Sequence, residues 1–268
     1  MGSHFVDLCR KDTDWHVRYF EGDITRKEDC VRNLRGADTV INFAALTYLP
    51  PAWSNSEAYT NVNYQGVVNL LDCHGMFKRF IQISTSHVYG EQSNVPIILL
   101  DPRNVPSPQD PYSIAKLAAE KAVVAYSSKF GFDYLIMRPF NNFGPRQSEH
   151  FVVPSFIRQA LDKGRILVRG NTEREFVYVK DNVRAIKHFL DTDAKGYRQV
   201  CQGKPYHIMD IAAMIAEAVP GTKVELVESD RPHDIQRLWG FPTLPKDFEF
   251  TPMDKAIADT VAYYAGTR

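Results

Sequence analysis

The chain has 268 residues, enough for one large domain or two closely joined ones with a sizeable core, and 44% of them are hydrophobic, as in a globular protein. Lys plus Arg and Asp plus Glu both number 32, so the formal net charge is zero, which argues against a nucleic-acid binder that relies on a basic surface. The four cysteines (Cys9, Cys30, Cys73, Cys201) are scattered with no CxxC pair, which argues against a metal site or a disulfide framework; without a long apolar run or a secretory leader, the expectation is a cytoplasmic chain with free thiols and no membrane partner.

In chain order, "MGSHFVDLC" (1–9) has helical spacing, with Phe5, Leu8 and Cys9 on one face. A glycine followed by such a helix is how a dinucleotide-binding loop ends. Gly2 is therefore either a residue of the terminus alone or the last glycine of a phosphate-binding loop. "DTVINFAAL" (38–46) predicts a buried strand and "SEAYTNVNYQGVVNLLDCHG" (56–75) a helix. "KRFIQISTS" (78–86) predicts a second strand, "PYSIAKLAAEKAVVAYSSKFG" (111–131) a long helix ending at a glycine, and "FDYLIMRPF" (132–140) a third strand. Apolar strands alternating with helices imply a parallel sheet covered on both sides, an α/β doubly wound fold whose ligands bind beyond the carboxyl ends of the strands. The Pro- and Asn-rich segment 92–111 is a loop of a length usually reserved for function. After about residue 145 short strands and helices mix with proline. The expected division is a first domain over 1–145 and a smaller lobe over 146–268, with some strand and helix exchanged between them.

The strongest chemical signal is "YSIAK", which puts Tyr112 and Lys116 at i and i+4 on one helix face. A neighbouring ammonium favours the phenolate, lowers the phenol's pKa and makes a usable general base. Alone the pair is weak, since many amphipathic helices contain one. "ISTSHVYG" (83–90) adds hydroxyls just beyond a strand end, where Thr85 or Ser86 can hold a substrate hydroxyl or carbonyl toward Tyr112. Ordinary turn chemistry is the alternative reading of those hydroxyls.

"INFAAL", "NVNYQGVVNLL", "ISTSHVYGE", "DPYSIAKLAAEK", "LIMRPFNNFGPRQ" and "REFVYVKD" resemble, in order and over nearly the whole chain, the extended short-chain dehydrogenase/reductase family, and most closely its NAD-dependent nucleotide-sugar epimerases and dehydratases. The resemblance implies a Rossmann-like domain holding NAD and a C-terminal lobe holding a nucleotide diphosphate sugar. By motif, Thr85, Tyr112 and Lys116 form the catalytic trio. Asp23 and Ile24 face the adenine, Phe43, Ala44 and Ala45 line the cofactor groove, and Asn63 supports it. Tyr112 and Lys116 also touch the cofactor, and Pro139 and Phe140 begin the turn where nicotinamide and substrate meet. Thr85, Ser86 and Asn141 are expected at the substrate, with Arg174 and Arg231 clamping its diphosphate. Guanidinium forks suit phosphate oxygens, although salt bridges are the alternative use of both arginines. A homodimer through the helices at 56–75 and 111–131 is a further implication.

Two departures qualify the resemblance. "GSHFVDLC" matches the segment after the first two glycines of the family's G-x-x-G-x-x-G loop, and "DWHVRYFEGDI" resembles the strand that carries the Asp-Ile pair. This makes Gly2 the expected remnant of the loop. The first strand, the first two glycines and the whole second strand, with its ribose-binding acid, have no counterpart in the sequence. The chain as written is therefore expected to hold NAD weakly, and NAD cannot be told from NADP. Second, the dehydratase branch has Asp and Glu where this chain has Ser86 and His87. The expected activity is epimerisation by transient oxidation and re-reduction of a sugar hydroxyl. The alternatives are a reductase, decarboxylase or dehydratase of the same family, or a cofactor-deficient sugar-nucleotide binder.

Overall fold

The computed structural model describes residues 1–228 and 234–267. In chain order the elements are α1 (Gly2–Asp12), α2 (Lys27–Leu34), β1 (Thr39–Asn42), α3 (Ser56–Thr60), α4 (Gly66–Leu71), β2 (Arg79–Ile83), α5 (Pro111–Phe130), β3 (Asp133–Pro139), β4 (Asn141–Phe143), α6 (Val152–Lys163), β5 (Arg165–Arg169), β6 (Glu173–Tyr178), α7 (Val179–Asp191), β7 (Gly196–Val200), β8 (Pro205–His207), α8 (Ile208–Ala218), β9 (Lys223–Val227), β10 (Arg237–Leu238) and α9 (Met253–Gly266). The chain forms two compact units. One comprises 1–90, 105–139 and 183–199, the other 91–104, 140–182 and 200–268. The chain passes between the units at 90/91, 104/105, 139/140, 182/183 and 199/200.

The first unit is the α/β body. Its sheet has the order β1-β2-β3-β7, and β1, β2 and β3 run parallel. Ile41, Ile81 and Leu135 lie in register across three strands. β2 is buried along its whole length, which is why "RFIQI" shows no alternation of polar and apolar residues. Phe80, Ile136, Val67, Leu71 and Val123 form the core with Leu34 and Phe132. The long helix α5 starts on a capping box, in which Asp110 accepts from the Ser113 N–H at 2.9 Å, and Pro111 occupies the first turn. It stops where Gly131 takes a left-handed conformation.

Two stretches of this unit differ from expectation. The helix read over 56–75 ends at Leu71 and is interrupted by a π turn at Asn61–Gln65. The segment "DWHVRYFEGDI" forms no strand. An extended segment becomes a strand only when a neighbour completes its hydrogen-bond ladder. Among the described residues no strand pairs with the outer edge of β1, and Trp15, Tyr19 and Phe20 remain exposed. Leu8, expected on the buried face of α1, is half-buried; His4, Phe5, Val6 and Cys9 make that face.

In the second unit, β10-β6-β4 form a sheet to which β8 adds antiparallel to β6, while β5 and β9 make a separate parallel pair. α6, α8 and α9 contribute Phe156, Ile157, Ile211, Ile215, Ile257 and Val261 to its core, together with Ile166, Val168, Phe176 and Phe143 from the strands. The loop residue Ile97 joins this unit as an added strand position. Its N–H donates to the Trp239 carbonyl and its carbonyl accepts from the Phe241 N–H, both at 2.9 Å. Among the described residues no helix is long and apolar enough to cross a membrane.

Candidate active site

The site builds from the carboxyl end of β2. There the chain leaves the sheet at Ser84 and Thr85 and turns through a short helical turn, Ser86–Tyr89. Thr85 caps that turn by accepting the His87 N–H at 3.2 Å. The turn ends at Gly90, with φ 63° and ψ −158°, a region open essentially to glycine alone. A Cβ there would lie 2.0 Å from the Ser107 carbonyl oxygen. The glycine therefore lets the 105–110 stretch, which carries the Asp110 cap of α5, run close beneath the turn.

α5 presents Tyr112, Lys116 and Glu120 at successive i+4 positions, all buried. Each meets one of three consecutive residues at the end of β2. The Tyr112 and Thr85 hydroxyls are hydrogen-bonded. The Lys116 ammonium donates to the Ile83 carbonyl. Ser84 Oγ donates to the Glu120 carboxylate at 2.5 Å. The expected trio of Thr85, Tyr112 and Lys116 is thus brought together.

The electrostatics correct one expectation. Burial pushes the Tyr112 phenol up to about 12, the Thr85 hydrogen bond opposes this, and Asp110 adds to it. The net direction is upward, against the lowering expected from spacing, and the Lys116 ammonium donates to the Ile83 carbonyl. Burial brings Lys116 itself down to about 8, and the Glu120 carboxylate opposes that fall. Ser86 is buried, and its Oγ has no hydrogen-bond partner among the described residues.

The residues expected at the cofactor follow the ends of the other elements of this unit. Gly2 opens α1 in a tight place, where a Cβ would meet the rings of Tyr19 at 3.3 Å and Phe43 at 3.4 Å. Phe5 and Phe43 pack with centroids 5.9 Å apart. Phe43, Ala44 and Ala45 leave β1, and the Ala44 N–H is held by Asn42 Oδ1 at 3.0 Å. Asn63, buried in the π turn, grips the next residue on both sides. It accepts the Leu46 N–H at 2.8 Å and donates to the Leu46 carbonyl at 2.9 Å. The π turn is what brings this side chain to the loop. Asp23 and Ile24 lie in a turn rather than at a strand end. Asp23 accepts from the Thr25 hydroxyl and N–H, which lower its pKa, and the Ile24 carbonyl accepts from Asn69 Nδ2 at 3.0 Å. Pro139 ends β3 and is buried.

In the second unit, Asn141 Nδ2 donates to the Glu175 carbonyl at 2.9 Å. Arg174 is buried and paired with Asp234 at 2.9 Å. Its salt bridge is the alternative use anticipated from sequence, but its burial is not that of a surface residue. Arg231 lies outside the described residues. Beside Arg174, the Glu175 carboxylate is fully buried and accepts the N–H groups of Gln202, Gly203 and Gly240; burial dominates and pushes it up to about 7.

Sequence reasoning passed over Ser84, Glu120, Arg138 and Gly90. Two signals pointed toward the charged pair. Arg138 is a lone charge in the apolar strand "LIMRPF", which requires a buried partner, and Glu120 continues the i+4 line of Tyr112 and Lys116.

Residues 4–202 match the model of the NAD dependent epimerase/dehydratase family. The low-salt glycan biosynthesis protein Agl12 of Haloferax volcanii is 32% identical over 259 residues, covering 93% of this chain and 82% of that protein. The GDP-6-deoxy-D-mannose reductase of Pseudomonas aeruginosa is 30% identical over 71% of this chain and 66% of its own length. Among solved structures, the UDP-N-acetylglucosamine 4-epimerase of Methanobrevibacter ruminantium M1, in complex with UDP-N-acetylmuramic acid, superposes with a TM-score of 0.87 at 25% identity; the match covers all of this chain and 95% of that one. These likenesses agree with the α/β, Rossmann-like fold of the first unit.

Proposed function

We propose that this chain, which belongs to the NAD dependent epimerase/dehydratase family, is an NAD-dependent nucleotide-sugar epimerase that works by transient oxidation and re-reduction of a sugar hydroxyl. The observation that carries the reading is the convergence of Tyr112, Thr85 and Lys116 at the end of β2, with no carboxylate in the two positions after Thr85. Elimination of water from a sugar needs an acid and a base of its own. Ser86 offers a hydroxyl without an acidic proton, and His87 alone makes no acid–base pair. Of the chain's acid–base groups, epimerisation asks only that one proton leave a hydroxyl and return, while the hydride from the same carbon would pass to the bound cofactor and come back to the opposite face of the ketone.

The residues present fit the dinucleotide. The first turn of α1 carries no acidic residue, and its first N–H groups follow Gly2, so a doubly charged pyrophosphate would meet the positive end of an 11-residue helix. Asn63 fixes the loop after β1, where Phe43, Ala44 and Ala45 keep the surface apolar. Bound there, the oxidised cofactor would supply a hydride acceptor and a positive charge.

In this reading Thr85 and Ser86 hold the sugar hydroxyl toward Tyr112, and the unpaired Ser86 Oγ is available for that bond. Tyr112 takes the hydroxyl proton and later returns it. Lys116 supports the phenolate and reaches the nicotinamide ribose. Asn141, Arg174 and Arg231 hold the diphosphate, and two copies associate through 56–75 and 111–131.

The test is incubation with UDP-, dTDP- and GDP-hexoses, with products identified by NMR. Interconversion of epimers without net accumulation of reduced cofactor is expected. Tyr112→Phe should lower turnover by about 10²–10⁴-fold while leaving sugar-nucleotide affinity nearly unchanged. A Tyr112→Phe enzyme with a rate near wild type would overturn the assignment.

A further inference from the structure

Behind Tyr112 and Lys116, the first unit buries an ion pair to which the proposed chemistry gives no role. Glu120 and Arg138 are both buried, with Arg138 Nε and Nη2 on the two carboxylate oxygens at 3.0 and 2.6 Å. Arg138 lies 4.8 Å from the ring centres of both Tyr89 and Tyr197, and its Nη1 donates to the Tyr89 hydroxyl at 2.9 Å. That hydroxyl donates in turn to Gln199 at 2.7 Å. A buried pair of this kind seldom adds net stability over apolar residues of the same volume. Its geometry is ordered toward the site. Ser84 bonds Glu120 and sits between Ile83, whose carbonyl receives Lys116, and Thr85, whose hydroxyl meets Tyr112.

We infer that Glu120, clamped by Arg138 and Ser84, is a positioning residue that keeps the Lys116 ammonium charged and registered on the Ile83 carbonyl. The inference rests on the reading of Lys116 as the cation serving Tyr112. The Lys116 ammonium meets the Ile83 carbonyl, and the charge that acts on it is Glu120, one helical turn on along α5. Tyr112 stands one turn before it on the same helix, and Arg138 on β3 is the partner of the Glu120 carboxylate. Burial favours the neutral amine, so without the carboxylate Lys116 would lose its proton at a lower pH. A neutral amine cannot support a phenolate.

The experiment is an NMR pH titration of protein labelled with [¹³Cε]lysine, with the Lys116 resonance assigned by its loss in Lys116→Met. In Glu120→Gln the Lys116 midpoint should fall by about one pH unit or more, roughly a tenfold rise in the neutral form at fixed pH. A folded Glu120→Gln with an unmoved midpoint would overturn the inference. If the orphaned Arg138 unfolds that variant, Glu120→Gln/Arg138→Met removes both charges and carries the test. The net fall is then smaller, because removing the Arg138 cation raises the midpoint while removing the Glu120 carboxylate lowers it, and an unmoved or raised midpoint overturns the inference. A merely structural Glu120 would change stability without moving the midpoint. The readout needs no turnover, so a failed epimerase assignment shows in the Tyr112→Phe rates and leaves this result separate.

Discussion

A buried lysine is an expensive way to make a base. Lys116 is lowered from 10.5 to about 8 by burial, so in the folded chain it binds its proton less tightly than when unfolded. Between pH 8 and 10.5 the unfolded chain therefore holds more protons, and the contribution of Lys116 to stability rises with pH through that window; below pH 8 the full penalty is present. A tenfold weaker hold on the proton corresponds to about 1.4 kcal/mol, and the bond to the Ile83 carbonyl returns part of the cost. Lys116→Met should accordingly match or exceed wild-type stability at pH 7, by up to about 2 kcal/mol, while losing activity. Urea denaturation near neutral pH and again about two pH units higher checks both points, and the advantage should shrink at the higher pH. A clearly less stable Lys116→Met would mean that the ammonium holds the fold rather than the chemistry. Tyr112, Lys116 and Thr85 were legible because i+4 spacing and a strand-end hydroxyl are local patterns. Glu120 and Arg138 were not, because their partnership crosses from α5 to β3.

At the scale of elements, the turn after β2 depends on one glycine. Any side chain at Gly90 would meet the Ser107 carbonyl at 2.0 Å, and its dihedral angles are strained for an L-residue. The obstacle is backbone that itself donates to the Tyr89 carbonyl at 3.2 Å, so it cannot simply swing aside. Gly90→Ala is expected to cost about 3 kcal/mol or more, combining backbone strain and overpacking, and to displace Thr85 from Tyr112. The urea midpoint and the near-ultraviolet circular dichroism would report it, and a midpoint equal to wild type would show that the turn tolerates a side chain. Periodicity located most elements of both units. It missed α2, α9, β4, β7, β8 and β10. α2 is a short helix burying only Cys30 and Leu34, and β4 and β10 are too brief to show a period. The family resemblance also implied a strand over 14–24, which has, among the described residues, no strand to pair with.

For the molecule as a whole, the interleaving of the two units bears on how it can be divided. The sheet of the first unit includes β7, which comes after β4, β5 and β6 of the second unit in sequence. The second unit includes Ile97, whose two 2.9 Å backbone bonds flank Gly240. A cut at 145/146 would strip β3 of its β7 neighbour and deprive 239–241 of theirs. Separately expressed fragments 1–145 and 146–268 should each lack a cooperative unfolding transition and show collapsed amide dispersion in NMR spectra. A fragment that unfolds cooperatively would show that its half is self-sufficient. Each buried backbone group left unpaired costs about 1–3 kcal/mol, so a few of them together reach the scale of a domain's whole stability.

The sequence by itself determined the α/β class, the alternation of strand and helix from β1 to β3, the Tyr112–Lys116 pair and the family, because each is written in short-range spacing or in contiguous motifs. Only the tertiary structure decided the rest. It placed Arg174 against Asp234, left 13–23 without a ladder partner, and pulled 91–104 and 183–199 away from their sequence neighbours. It also raised the Tyr112 phenol where spacing alone predicted a lowered one. Desolvation and pairing depend on which distant groups share a volume, and in a zero-charge chain with 32 residues of each sign, local sequence cannot say which opposite charges will meet.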